Sequence, residues 1–278
     1  MNRLLSIEWQ KIWKNRASKI LTITYFVLLT FIALFAAIKF DIGPFKLHLA
    51  EEGIFNFPYI WHFNTYFAAL LKIFLAVVIV SMMANEYSYG TLKQNLIDGM
   101  SKKEFIQSKF ITVVVFAGIS TLFIFVVSLI LGLIYSSFNE VSIIFSDLEY
   151  LLAYFIKLVG FFSFCLFLGI LIKRSAFALG FLLFWNIIEG IIIGILNFKV
   201  FPNDDTDRMI TQFLPLESMS NLLVEPITRL KIVKSIGDQV GIENLKDYSV
   251  HPLGIAIVMV WTAIFITLSY KIIKSRDL

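Results

Sequence analysis

Lys72, Lys157, Asn186 and Glu189 stand inside long apolar runs of the sequence. An ionisable side chain in apolar surroundings is costly, so each marks a proton or ion relay, a substrate contact, or a buried pair with an opposite charge. At about 1.5 Å of rise per helical residue, Lys157 and Glu189 lie at similar depths. A salt bridge between them, or between Lys72 and Glu189, would lower the penalty that either charge suffers alone. The alternative is that Lys157 extends its ammonium to the nearer surface, leaving Lys72 and Glu189 to find partners. Structural pairing is expected over direct substrate contact, and the four residues together are the candidates for a polar pathway through the apolar region.

Other chemistry has less support. His48, His62 and His251 are far apart in sequence, which argues against a haem stack or an H-E-x-x-H metal site. Cys165 is the only cysteine, which excludes an intramolecular disulfide and a thiolate cluster, and it reads as a small buried hydrophobe. Asp204, Asp205 and Asp207 in FPNDDTDRM could bind a divalent cation, but acids in an exposed, turn-rich segment are more often solvated, and no metal site is assigned. Neither the phosphate-cradling G-x-x-x-x-G-K-[ST] pattern nor a dinucleotide glycine fingerprint occurs. No catalytic residue and no cofactor on this chain is therefore expected.

The elements that must position these residues are set by composition. With 58% hydrophobic and 16% charged residues and a mean hydropathy of +0.82, most of the chain cannot form the surface of a soluble domain. The reading is an all-α integral membrane protein, a single transmembrane domain over residues 1–278. A spanning helix needs about 20 predominantly apolar residues, and six stretches qualify: Ile20–Phe40, Trp61–Asn85, Phe110–Tyr135, Tyr150–Ile172, Ala176–Phe198 and Pro252–Lys271. The first is too long for a signal-peptide core and lacks a small-residue cleavage site, so it is expected to be retained.

Charge placement orients the spans. Lys and Arg cluster before the first span, between the second and third, at Lys173–Arg174 and at the C-terminus, whereas residues 41–60 carry only Lys46 and residues 136–149 neither Lys nor Arg. By the positive-inside rule both termini are cytoplasmic. The loop 199–251 is external; long loops translocate largely regardless of charge. In residues 1–19, Leu5, Trp9, Ile12 and Trp13 share one face while Glu8, Lys11 and Lys14 fall on others. An interfacial helix is expected, its tryptophans at headgroup depth and its lysines toward anionic lipid; a simple basic flank that sets topology is the alternative.

Between the second and third spans runs a polar stretch, NEYSYGTLKQNLIDGMSKKEFIQSK, at residues 85–109. Thr91 to Ile97 can form about two helical turns, and Asp98-Gly99 supplies the stop, since Gly99 can adopt the left-handed conformation a helix C-terminus prefers. In Ser101-Lys102-Lys103-Glu104 the serine hydroxyl can accept from the Glu104 N–H while the carboxylate reaches back, a capping box that starts the next helix. A plain connector needs only a few residues. A short helix with defined stops suits pushing or being pushed.

This stretch resembles the cytoplasmic segment of type-2 ABC exporter permeases, which often show a Glu-aromatic-x-x-Gly-Thr run followed by Leu, Gly, Ser and a basic residue. MNRLLSIEWQKIWKNR is similar to their N-terminal connecting helix. The outer loop with LPLESMSNLLVEP resembles their half-inserted external segment. The likeness covers the whole chain in layout, and the cytoplasmic segment at 86–109 carries its specific residues. It implies six spans, a second permease subunit, the same or a related chain, and separate ABC ATPase subunits that hold ATP and Mg. Carried over, the ATPase-coupling element is Glu86, Tyr87, Gly90, Thr91, Leu92, Asp98, Gly99, Ser101 and Lys102. The family often has Arg where Lys102 stands, which keeps the charge but weakens any inference about bidentate contacts.

The expected function is thus the permease subunit of an ATP-driven exporter in a bacterial cytoplasmic membrane, in contact with lipid and not with nucleic acid. Two other classes fit the same layout. An ion-coupled secondary transporter would use Lys72 and Glu189 in a relay, though no internal repeat is seen. A nontransporting scaffold or sensor subunit would have no pathway.

Overall fold

In lipid an unpaired backbone N–H or C=O costs several kcal/mol, so apolar runs close their own hydrogen-bond ladders as helices. A computed structural model of the chain describes residues 2–35, 40–42, 45–47, 53–138, 140–200, 206–230, 233–234 and 246–276. It opens with α1 (Asn2–Lys14) and α2 (Arg16–Phe35), followed by an antiparallel two-stranded ladder, β1 (Phe40–Ile42) with β2 (Phe45–Leu47). Next come α3 (Tyr59–Leu70), α4 (Lys72–Ser88), α5 (Thr91–Ile97), α6 (Lys102–Tyr135) and the single turn α7 (Val141–Ile144). The chain continues through α8 (Glu149–Ile172), α9 (Ser175–Ile195), α10 (Thr206–Thr211), α11 (Pro215–Asn221) and, last, α12 (Pro252–Ser275).

Among the described residues, four helices are long and apolar enough to cross a membrane, five when the bent pair α3–α4 is taken as one span. The protein is therefore a helical, multi-pass membrane protein. α8 is the central helix, packed against α3, α4, α6, α9 and α12. Gly160 lets α12 approach: a Cβ there would sit 2.8 Å from a methyl of Val258. α9 lies at the periphery, with Leu183, Phe184, Ile187 and Ile191 all exposed, which costs nothing where the solvent is hydrocarbon.

Several expected boundaries move. The interfacial helix stops at Lys14, not at residue 19, because the Asn15 side chain accepts from the N–H of Ser18 and so caps a new helix. The first apolar helix accordingly starts at Arg16 and is described to Phe35, while Phe40 belongs to β1. The second expected span is not straight. α3 and α4 meet at 46°, where the N–H groups of Leu71 and Phe74 bond three residues back, to Ala68 and Leu71, and interrupt the α ladder. α6 has 34 residues, about 51 Å at 1.5 Å per residue, and overshoots a hydrocarbon core of about 30 Å.

Polar side chains tie the helices together inside the bundle. The hydroxyls of Tyr25, Ser120 and Tyr154 join α2, α6 and α8 in a buried ring, with 2.8 Å from Tyr154 to each of the other two. The Asn64 amide donates to the Ser128 hydroxyl at 2.8 Å and links α3 to α6. Where hydrocarbon supplies no alternative partner, such bonds act as glue between helices. Cys165, also on α8, is buried and unpaired.

Candidate functional site

The connector between α4 and α6 is built from two left-handed glycines with a helix between them. Gly90 (φ 66°) precedes α5 and Gly99 (φ 97°) follows it, and an L side chain is strained at either. Asp98 ends α5, its N–H bonding to the Gln94 carbonyl. The expected capping box is present: the Ser101 hydroxyl accepts from the Glu104 N–H at 3.2 Å, and the Glu104 carboxylate accepts from the Ser101 N–H at 2.9 Å. Leu92 is buried, whereas Tyr89 and Ile97 are 73% and 74% exposed. The connector is thus a short helix set between two turns, with Tyr89 exposed just before it and Ile97 at its end.

Beneath α5 lies an ion cluster that holds α1, α4 and α6 together. Lys109, wholly buried, reaches Glu8 at 2.5 Å and Glu86 at 2.6 Å. Lys11 donates to Glu86 at 2.8 Å, and the Thr91 hydroxyl donates to the other Glu86 oxygen at 2.6 Å. Two carboxylates and two ammoniums cancel, which is what lets them stay buried. Burial pulls the Lys11 ammonium down, but its bonds and attraction to Glu86 and Glu8 outweigh that and hold it above its ordinary value. Glu86 and Thr91 therefore anchor the first residue of α5 to the cluster.

The expectation set Glu8 off the apolar face and turned the lysines toward lipid; instead Glu8 is buried and Lys11 half-buried, both within the ion cluster, while Lys14 is exposed. Glu8 and Lys11 share the inward side with Ile12, itself buried. The signal was a lone acid in a basic segment, with Lys109 at the edge of an apolar run to answer it.

The same end carries a second tie. The Arg276 guanidinium donates to the Tyr87 hydroxyl and the Ile170 carbonyl, both at 2.8 Å. Lys102 donates to the carbonyls of Lys274 and Arg276, at 3.2 and 2.8 Å. The end of α12 is thereby joined to both flanks of the connector. Nothing in the spacing of Arg276 pointed to it.

The intramembrane residues are arranged otherwise than expected. Glu189 pairs with neither lysine. Its carboxylate accepts from the N–H groups of Leu216, at 3.0 Å, and Glu217, at 2.9 Å, and from the Trp185 indole at 2.6 Å. It thus satisfies the free N–H groups at the start of α11. Lys157 donates to the Ser220 carbonyl at 3.2 Å, near the end of the same helix. α11 is wedged against α8, α9 and α12. Lys72, the first residue after the bend, is half-buried with its ammonium 4.4 Å from the centre of the Phe161 ring. Asn186 is exposed on α9 and does not join Glu189.

At the α11 end, the loop after α11 is pinned to α3 and α8. His62 Nε2 donates to the Val224 carbonyl at 2.7 Å, which leaves Nδ1 to accept from Arg229 at 3.1 Å. The hydroxyls of Tyr59 and Tyr150 donate to the carbonyls of Pro226 and Tyr248, at 2.7 and 2.9 Å. Asp204, Asp205 and His48 lie outside the described residues, as does the side chain of Asp207.

A 69-residue stretch of the chain is 35% identical to "Uncharacterized protein YhcI" of Bacillus subtilis (strain 168), covering 25% of this chain and 22% of that protein. With residues 44–278 matching its family model, the chain belongs to DUF2705, a family described as a protein of unknown function.

Proposed function

We propose that this chain is the permease subunit of an ATP-driven exporter of the type-2 ABC class. It forms the translocation pathway with a second permease subunit and couples to separate ATPase subunits. The observation that carries the reading is the connector: a seven-residue helix set between two left-handed glycines, anchored through Thr91 and Glu86 to a buried ion cluster, and exposing Tyr89 and Ile97. A short anchored helix with exposed apolar residues fits a partner's groove. A solvated loop needs neither the anchor nor those residues.

In this reading α2 is the first of six spans, α3–α4 together the second, and α6, α8, α9 and α12 the remaining four. Both termini and α5 face the cytoplasm of a bacterial cell, and α11 is a half-inserted segment on the outer side. The chain itself hydrolyses nothing. ATP and Mg bind the partner subunits.

An ion-coupled transporter is the second reading, favoured by one observation: the 46° break with Lys72 directly after it, since broken helices line ion and substrate sites in such proteins. Its second expected member, Glu189, is already committed to α11.

The test is purification of the unmodified protein from its native membrane in mild detergent, with mass spectrometry of what copurifies. Recovery of an ATPase, together with transport that stops on ATP depletion, supports the exporter. Transport that survives ATP depletion, with no ATPase recovered, overturns it in favour of ion coupling.

A further inference from the structure

A cleft of about 370 Å³ opens beside the ion cluster, between the end of α1, the start of α2 and the junction of α4 with α5. Cavities that bind small molecules run from about 300 to 1,000 Å³, so this one has room for a headgroup and not for a whole lipid.

Its lining has two characters. Lys11, Lys14 and Asn85 bring donors to it, while Ile12 and Met82 supply apolar surface. The charges do not balance. Glu86, also in the lining, is answered by Lys109 and Lys11, and Glu8 by Lys109; Lys14 is exposed and has no acidic partner among the described residues. Three cations against two carboxylates leave a surplus of one positive charge at the cleft.

Depth points the same way. Trp9 and Trp13 stack on α1 at 5.9 Å, and Trp13 is 43% exposed. Tryptophans concentrate at the level of lipid headgroups, and α1 carries both them and the two lysines of the cleft. A ligand for this site has a phosphate for the lysines and the amide, and a glyceryl or upper acyl portion for Ile12 and Met82.

We propose that the cleft binds the phosphate of an anionic phospholipid headgroup, with Lys14 and Lys11 as its cationic donors and Asn85 as its neutral one. The site rests only on the chain being a multi-pass membrane protein and stands whether or not an ATPase is its partner.

The full chain, purified in detergent and stripped of lipid, is titrated with a short-chain phosphatidylglycerol, with phosphatidylcholine of equal chain length, and with inorganic phosphate, and bound adducts are counted by native mass spectrometry. Phosphatidylglycerol is expected to bind more tightly than phosphatidylcholine. Lys14→Gln is expected to weaken it about fivefold, the contribution of one lysine near an anionic surface. Lys103→Gln, an exposed lysine outside the cleft, is expected to leave it unchanged. Equal binding of the two lipids overturns the site, and so does an equal loss in Lys103→Gln, which would mean diffuse attraction. Inorganic phosphate that binds as tightly as phosphatidylglycerol and displaces it overturns the lipid as the ligand and reassigns the cleft to soluble phosphate.

Discussion

Glu189 and Lys157 hold opposite ends of one short helix: the carboxylate accepts from the N–H groups of Leu216 and Glu217 at the start of α11, and the ammonium donates to the Ser220 carbonyl near its end. Each charge lies where the helix dipole favours it. Glu189→Ala leaves two backbone donors and an indole without an acceptor, at roughly 1–3 kcal/mol for each donor left unmet. Glu189→Gln keeps one carbonyl oxygen and is expected to lose less. Since the two side chains do not meet, the effects of Lys157→Met and Glu189→Gln are expected to add. Thermal unfolding in detergent over the four-member cycle decides it: a double variant more stable than the sum of the two single effects would mean that the charges pair after all.

The Lys109 ammonium answers two carboxylates at once, Glu8 and Glu86, and is wholly buried. Lys109→Met strands both acids with only Lys11, whose side chain is 34% exposed. Breaking a buried ionic network by removing one partner typically costs about 3–5 kcal/mol. Lys11→Gln takes away a partly solvated ion and leaves Lys109 in place, so a smaller loss is expected. Melting temperatures of the two variants test this ranking, and equal shifts would contradict the arrangement.

Helical architecture and the connector were legible in the sequence because they rest on local rules: the length of an apolar run, a glycine stop, a serine cap. Gly99 and Ser101 stand in the conformations that their types imply. Glu189 was misread because its partners are backbone N–H groups 27 and 28 residues away in sequence, and every residue type supplies those. A search for opposite charges cannot find them. The partner of Glu8 went unforeseen for the reverse reason. That partner, Lys109, is a charge, but 101 residues away, and helical periodicity within α1 says nothing of what packs on it. The bend at Leu71 has neither proline nor glycine to announce it.

Acid is expected to loosen the loop after α11. Burial alone would push the Glu225 carboxyl up, but hydrogen bonds from Lys246 and Thr228 outweigh it and hold the group below its ordinary value of 4.5. A carboxyl lowered on folding contributes stability that is fully present above its unfolded value and is lost as pH falls through the folded one. Hydrogen exchange over residues 226–230, corrected for intrinsic rates, is therefore expected to stay flat from pH 7 to about 4.5 and to rise below that. Lys246→Gln should move the rise to higher pH. The same profile in both proteins would remove Glu225 from the account.

The proposed orientation is testable with single cysteines in a background where Cys165 is replaced. Ile97→Cys, at the exposed tip of α5, is expected to resist a membrane-impermeant thiol reagent in intact cells and to react once the membrane is opened. Asp205→Cys is expected to react in intact cells. Labelling of position 97 from outside would reverse the sidedness, and the coupling role of α5 would go with it.

The connector's stops separate coupling from insertion. Gly99 has φ of 97° with nothing within 4 Å of where a Cβ would stand, so Gly99→Val strains the backbone without creating a clash. Ser101→Ala removes an N-cap worth roughly 0.5–2 kcal/mol: the Glu104 N–H loses its acceptor and the Glu104 carboxylate loses the hydroxyl, keeping only the backbone N–H of residue 101. Neither change touches the apolar face of α6 or the Glu86–Lys109 pair, so expression and insertion are expected to stay near normal while α5 loses its fixed angle. In the exporter, the double variant should then retain less ATPase on copurification, or retain it with hydrolysis no longer linked to transport. A variant that inserts, keeps its ATPase and transports at the original rate would show that α5 transmits nothing, and the coupling role would have to be sought elsewhere on the chain.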